Sequence, residues 1–295
     1  MSKKEDILLK LKEDLNIRRF ADGTVNRYCY VISKFLNFLD INDDEIYDID
    51  EYDAISYLKY LTEERNYTSS SYNNINSIIK FFLEVTLEKD IKERRLPSVK
   101  LEERLKYIPT SVELKDIIDK ITNLKYKLFF ELMFGSGLRC WEVAYLKISS
   151  VDSVNMKLKF IGKNNKERIT VLPNKTLNDL REFCIQEHIY KGTTQEYLFV
   201  GRNNPHICEA TVYDAVKTIK EKFKIKKNIT PHSLRRSFAT YLIRMGVKIE
   251  VVKELMGHKS LTTTLGYAKV VYYELEIKNT LDSESYETYN SRNIQ

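Results

Sequence analysis

The chain has 295 residues, about twice a common domain length of ~150, so two compact domains are expected. Hydrophobic residues make up 43% and charged residues 31%, with 9 Gly, 5 Pro and a net charge of +6, a balance that excludes a fibrous or disordered chain. No apolar run is long enough to span a membrane, charges are scattered through residues 1–12, and Cys29, Cys140, Cys184 and Cys208 stand singly beside only four His, so no membrane span, signal peptide, disulfide framework or structural zinc site is suggested, and a cytoplasmic protein is expected.

Four apolar-periodic stretches fill the first 90 residues. Ile7, Leu8, Leu11 and Leu15 have helical spacing, and Thr24 is the expected cap of a second helix carrying Tyr28, Val31, Ile32, Phe35 and Phe38. An acidic loop follows, with eight Asp and Glu and no Lys or Arg between Asp40 and Asp53. Ala54, Tyr57, Leu58 and Leu61 mark a third helix, and Ser69 or Ser70 caps a fourth with Tyr72, Ile75, Ile78, Ile79, Phe82 and Leu83. From Lys92 to Lys106 the pattern stops in a charged stretch holding Arg94, Arg95 and Pro97, which is expected to be an exposed linker.

A second domain opens near residue 107, where Thr110 and Glu113 have capping-box spacing ahead of Leu114, Ile117, Ile118 and Ile121. An apolar helix, Leu128 to Phe134, ends in Gly135-Ser136-Gly137, and another helix begins around Arg139. Met156 to Ile161 and Arg168 to Leu172 flank Lys163-Asn164-Asn165-Lys166, the pattern of a β-hairpin. The pattern is helical again from Glu209. Thr230-Pro231 marks a helix start, Gly246 its stop and Gly257 the end of the next helix, before a segment capped by Ser260. Residues 283–295 form a polar tail, expected to be mobile. Residues 1–106 hold 18 Lys+Arg against 21 Asp+Glu, and residues 107–295 hold 30 against 21, so the basic surface is concentrated in the second part. Outside the acidic stretch the first part is basic too, so both parts could hold a polyanion with that stretch turned away.

The residues that could carry chemistry lie in the second part. His232 and Arg235 are three apart at a helix N-terminus, where backbone dipoles favour an anion such as phosphate. Arg139 follows a Gly-Ser-Gly turn three residues before Glu142, a spacing that also suits a plain intrahelical ion pair. His258 follows Gly257, and Tyr267 comes nine residues later. Taken in order, Arg139, Lys163, His232, Arg235, His258 and Tyr267 resemble the active site of the tyrosine recombinases, the phage integrase family, in its Xer-like branch. The strings that carry the resemblance are GSGLRCWEVAYL, FIGKNNKERITVLP, TPHSLRRSFATYLIRMG and ELMGHKSLTTTLGYAKV, with 24 residues from Arg139 to Lys163. It runs from about residue 107 to 280, and the helical region before it is similar, more weakly, to the family's core-binding domain.

The resemblance implies a mainly α fold with a small β-sheet: an N-terminal helical core-binding domain at 1–96, a linker at 97–106, an α+β tyrosine-recombinase catalytic domain at 107–282, and the tail at 283–295. No module precedes the first bundle, so the arm-site-binding domain of some phage integrases is not expected. The implied activity is site-specific recombination of double-stranded DNA through a 3′-phosphotyrosyl intermediate, without metal, cofactor or ATP. Tyr267 is then the nucleophile, with Tyr272 and Tyr273 as nearby rivals. Arg139 and Arg235 clamp the phosphate, Lys163 is the general acid with Lys166 as local rival, His258 donates to the phosphate, and His232 orients or deprotonates the phenol. Glu142 supports Arg139 without reacting. Arg236 stands where many relatives have a second His, and Asn164 where a turn Gly is frequent. The implied partners are DNA and further subunits, four protomers on two sites or a related recombinase subunit, joined through a C-terminal segment whose apolar candidates are Val270, Val271, Leu275 and Ile277; these residues could equally pack on their own domain. Two rival readings are a type IB-like topoisomerase, which would relax one duplex as a monomer, and a DNA-binding relative that has lost catalysis.

Overall fold

The computed structural model describes residues 3–91, 96, 98–100, 107–161, 167–190, 194–258, 260–268 and 271. The chain divides into two compact units, Met1–Arg104 and Leu105–Gln295. Among the described residues the fold is mainly helical, with a three-stranded antiparallel sheet in the second unit.

The first unit is a helical bundle of α1 (Lys3–Ile17), α2 (Asp22–Leu39), α3 (Glu51–Glu63) and α4 (Ser69–Phe81), the last continuing into a π-helical turn, Phe82–Thr86. Ile7, Leu11 and Leu15 repeat every fourth residue of α1 and meet Ile32 and Phe35 of α2 and Ile79 of α4 in a single buried cluster with Phe82 and Leu83. Each such side chain contributes about 2 kcal/mol by leaving water. The caps differ from the sequence expectation at two helices. Thr24 lies inside α2, which starts at Asp22 after Ala21, and α4 is capped by Thr68, whose hydroxyl accepts from Ser71 N, rather than by Ser69 or Ser70. In both cases the helix begins well before the first periodic apolar position named for it, Asp22 before Tyr28 and Ser69 before Tyr72, because the first residues of the helix carry no apolar side chain.

The acidic run is not all loop. Asp43–Asp48 forms a 3₁₀ helix opened by an Asn42–Glu45 capping box, and Asp50 caps α3 by accepting from Tyr52 N at 2.7 Å and Asp53 N at 3.2 Å. The clustered carboxylates thus meet exposed N–H groups at two helix starts. The stretch read as an exposed linker from Lys92 onward also differs: Leu96 is fully buried in the first unit's core, and its carbonyl accepts from Asn76 Nδ2 at 3.1 Å. Asn73 likewise pairs with both backbone groups of Val99, each at 2.8 Å. Residues 92–95, 97 and 101–106, the rest of that stretch, lie outside the described residues.

In the second unit α6 (Leu124–Gly135) is the central helix, touched by α5 (Ser111–Lys120), α7 (Cys140–Ala144), α8 (Asn174–Gln186), α9 (Glu209–Lys222) and α10 (Pro231–Arg244). Its middle, Leu128 to Met133, is buried on every side, which accounts for an apolar run without a polar face. The Thr110–Glu113 capping box of α5 forms as the spacing predicts, and Thr230 caps α10 with Pro231 at the first helical position. The sheet runs β1 (Val151–Asp152), β2 (Lys157–Ile161), β3 (Glu167–Val171), with Lys157 opposite Val171 and Ile161 opposite Glu167. Each hairpin strand differs by one residue from the expected limits, and β1 and α8 have no counterpart in the sequence reading. α11 (Ile249–Met256) packs against β3 and α10 and ends at Gly257, as expected. Residues 261–268 form a helical stretch after Ser260, whose hydroxyl accepts from Thr262 N at 3.2 Å. The tail at 283–295 lies outside the described residues.

One buried acid in α6 has a measurable consequence. Glu131 is 3% exposed, and burial, then adjacent Asp179, push its carboxyl from 4.5 up to about 8. The unfolded chain ionises this group near its ordinary value while the folded protein keeps it protonated, so folding stability falls as pH rises through that window. Glu131→Gln is expected to remove the fall and to make the protein about 2–4 kcal/mol more stable than wild type at pH 8, with little difference at pH 4.5. Urea unfolding at the two pH values reads this directly; equal pH dependence in both proteins would contradict it.

Candidate active site

Two glycine turns shape the site. Gly137, after α6, has φ +67, and a Cβ there would lie 2.4 Å from the Phe238 ring, so the turn packs directly on α10 and tolerates only glycine. Gly257, after α11, has φ +59, and a Cβ there would lie 2.7 Å from Arg168 Cδ. The carbonyls of these turns point at guanidinium groups. Arg235 Nη1 donates to Gly137 O and its Nη2 to Met256 O. Arg139 Nη2 donates to Gly257 O at 2.9 Å.

Glu142 sits between the arginines. It is 1% exposed, and its Oε1 accepts from Arg139 Nη1 at 3.0 Å and from Arg168 Nη1. Its Oε2 accepts from the Arg139 backbone N at 2.7 Å and meets Arg235 Nη1 at 3.5 Å. Burial alone would raise this carboxyl, but Arg168 first, then Arg235 and the Arg139 N–H, outweigh it and hold the group below its ordinary value. Three guanidinium groups thus share one carboxylate, leaving an excess of positive charge at the two turns. Burial, then repulsion from Arg168 and Arg139, push Arg235 down to about 9, still charged at neutral pH.

His258 and Tyr267 complete the described part. Their ring centroids are 5.9 Å apart at 44°, and His258 Nδ1 lies 2.9 Å from Thr264 Oγ1. Burial, followed by Arg235, Arg139 and Arg168, pushes the imidazole down to about 4. It is therefore neutral at pH 7, and in the tautomer whose Nδ1 accepts from the Thr264 hydroxyl, Nε2 is the donor. Tyr267 is half-buried against Phe238, Ala239, Val252 and Met256, near enough to Arg235 for its phenol to influence that guanidinium. His232 stands one turn before Arg235 on α10 and is exposed, whereas Arg235 is buried.

The structure therefore brings together Arg139, Glu142, Arg235, His258 and Tyr267. Lys163, its rival Lys166, Asn164 and the rival phenols Tyr272 and Tyr273 lie outside the described residues. Val271 is buried within its own chain, while Val270, Leu275 and Ile277 lie outside the described residues. The residue that sequence reasoning missed is Arg168. On β3 the apolar Ile169 and Val171 are each 40% exposed, whereas Thr170 is buried and Arg168 nearly so, and Thr170 Oγ1 donates to Ser136 O at 2.7 Å. The period-2 signal was present in Arg-Ile-Thr-Val, but with the polar residues facing inward toward the Gly137 turn.

Among known proteins, the Phage integrase family matches residues 110–274, over half of the chain, and the Phage integrase N-terminal SAM-like domain matches 7–93. The chain belongs to the phage integrase family. It is a tyrosine recombinase, an enzyme that cleaves and rejoins DNA. Tyrosine recombinase XerA of Pyrococcus horikoshii is 30% identical over 272 residues, covering 90% of this chain and 89% of the relative. A tyrosine recombinase of Thermosipho africanus is 31% identical over 271 residues, covering 88% of this chain and 93% of the relative. The recombinase shares its fold with the XerH site-specific recombinase bound to a palindromic difH substrate (TM-score 0.71, 21% identity, 90% of this chain and 82% of that one). It shares it also with a lambda integrase dimer bound to a core site (TM-score 0.68, 18% identity, 89% and 94%). Among the described residues of the recombinase no helix is long and apolar enough to cross a membrane, and no group of three His, Cys, Asp or Glu could hold a metal ion.

Proposed function

We propose that Tyr267 is the nucleophile of a site-specific recombinase in which Arg139 and Arg235 clamp the scissile phosphate. The phenolic oxygen bonds to phosphorus as the bond to the 5′ oxygen breaks, giving a 3′-phosphotyrosyl link and a 5′ hydroxyl. The phenol's proton passes to His232, and Lys163 delivers one to the departing oxygen. Rejoining reverses these steps with the 5′ hydroxyl of another strand as attacker, so the energy of the broken bond stays in the phosphotyrosine and no ATP is required. Planar guanidinium groups meet charge on the non-bridging oxygens in pairs of hydrogen bonds, and neutral His258 adds a donor without adding charge. The single observation that carries this reading is the convergence of Arg139 and Arg235 on the two glycine turns beside Tyr267.

In this reading residues 1–96 and 107–282 clamp duplex DNA, and four protomers act on two sites in the cytoplasm. A nicked suicide duplex that loses its short 5′ product after cleavage tests the chemistry: wild-type protein is expected to accumulate a covalent adduct, and binding without adduct would reject the reading. Because side-chain cations meet the phosphate, EDTA is expected to leave the cleavage rate unchanged within about twofold. Loss of cleavage with EDTA, restored by magnesium, would contradict it.

A further inference from the structure

We propose that Arg168 is a positioning residue that neutralises Glu142, so that Arg139 and Arg235 can turn from that carboxylate to the scissile phosphate. The inference rests on the assignment of those two arginines as the clamp and adds a residue that touches no substrate.

Glu142 is buried, and both of its oxygens are held by the cations that the reaction needs. A buried carboxylate deserted by its partners is strongly disfavoured, so Arg139 and Arg235 are available to DNA only if another cation keeps Glu142 satisfied. Arg168 meets that requirement. It is the largest influence keeping Glu142 ionised against burial, ahead of Arg235 and Arg139. Arg139 has a side chain 30% exposed, and Arg235, itself 5% exposed, meets Glu142 at 3.5 Å, whereas Arg168, 9% exposed, pairs directly with Glu142 and has a protein acceptor on each of its three nitrogens. Nε donates to Leu255 O at 3.0 Å, Nη2 to Leu255 O at 2.7 Å and to Gly137 O at 3.1 Å, and Nη1 to Glu142. Its guanidinium carbon lies 5.9 Å from the centre of the Phe160 ring. The close approach of Gly257, where a Cβ would strike Arg168 Cδ, leaves room for this side chain beneath the turn whose carbonyl binds Arg139.

Were Arg168 only a strut, removing Glu142 could not repair its loss; as the counter-ion of Glu142, it becomes dispensable once that charge is gone. The test is single-turnover cleavage of the nicked suicide duplex, with DNA binding and thermal unfolding measured alongside. Arg168→Met is expected to slow cleavage about a hundredfold while binding changes no more than about threefold, because Glu142 then retains Arg139 and Arg235. Adding Glu142→Gln to Arg168→Met is expected to recover at least about tenfold, and Arg168→Lys, which keeps the charge but not the contacts to two carbonyls, to stay within about tenfold of wild type. A double variant no faster than Arg168→Met, or a folded Arg168→Lys as slow as Arg168→Met, would overturn the proposal. If Arg168→Met does not fold, Arg168→Lys decides: a rate within about tenfold of wild type supports the proposal, and a slower rate in a folded variant overturns it. Arg139→Ala and Arg235→Ala run in parallel separate the two levels: wild-type cleavage in either rejects the clamp itself, whatever Arg168 does.

Discussion

Replacing Tyr267 by phenylalanine is expected to abolish covalent capture of DNA, a loss of at least about 10⁴-fold in adduct formation, while DNA binding stays within about twofold. The substitution removes one oxygen and keeps the ring. Tyr267 packs its ring on Phe238, Ala239, Val252 and Met256 beside His258, and those contacts survive in phenylalanine, so the fold and the arginine pocket are undisturbed. No other phenol is substituted in this variant, so residual adduct at the wild-type rate would assign the chemistry to a different tyrosine. Gel separation of the adduct, with a melting curve for the variant, gives both quantities.

Arg235→Lys is the second large effect, expected at about a thousandfold in cleavage, roughly 4 kcal/mol of transition-state stabilisation, against a few-fold change in binding. Arg235 is buried and divides its donors between the Gly137 and Met256 carbonyls, a fork that an ammonium at the end of a linear chain does not reproduce. Its charge is also less secure. The surroundings that push Arg235 down to about 9 would act on a lysine whose ordinary pKa is about 10.4, leaving it far closer to neutral at pH 7. Arg139 and the basic surface still hold DNA, so binding is spared. Equal losses in cleavage and binding would show that Arg235 serves the ground state alone.

Much of this was legible from local chemistry. The Thr110–Glu113 box, the Thr230-Pro231 start and the Gly257 stop are short-range signals, and each forms where its residues stand. Starts without an apolar mark were not legible: Asp22 and Thr68 open α2 and α4 on the solvent side, ahead of the periodic positions. Leu96 was hidden for a different reason, since a single apolar residue in a charged stretch carries no period, yet Asn76 of α4 draws it into the core. In the site, Arg139, Lys163, His232, Arg235, His258 and Tyr267 were read as one ordered set, of which Arg139, Arg235, His258 and Tyr267 stand close together, and the Arg139–Glu142 pair had an ordinary intrahelical explanation that proved true but incomplete. That Glu142 also serves Arg168 and Arg235, 26 and 93 residues away, is a tertiary fact with no local signature. Arg168 was obscured by its own strand, where exposed Ile169 and Val171 make the inner face read as the outer one.

The most direct measurement is the identity of the bond itself. Wild-type protein trapped on the suicide duplex, digested with protease and nuclease, and read by tandem mass spectrometry should yield a peptide spanning 260–269 with a nucleotide joined to the Tyr267 oxygen through its 3′ phosphate. A nucleotide on Tyr272 or Tyr273, or one attached through a 5′ phosphate, would contradict the account.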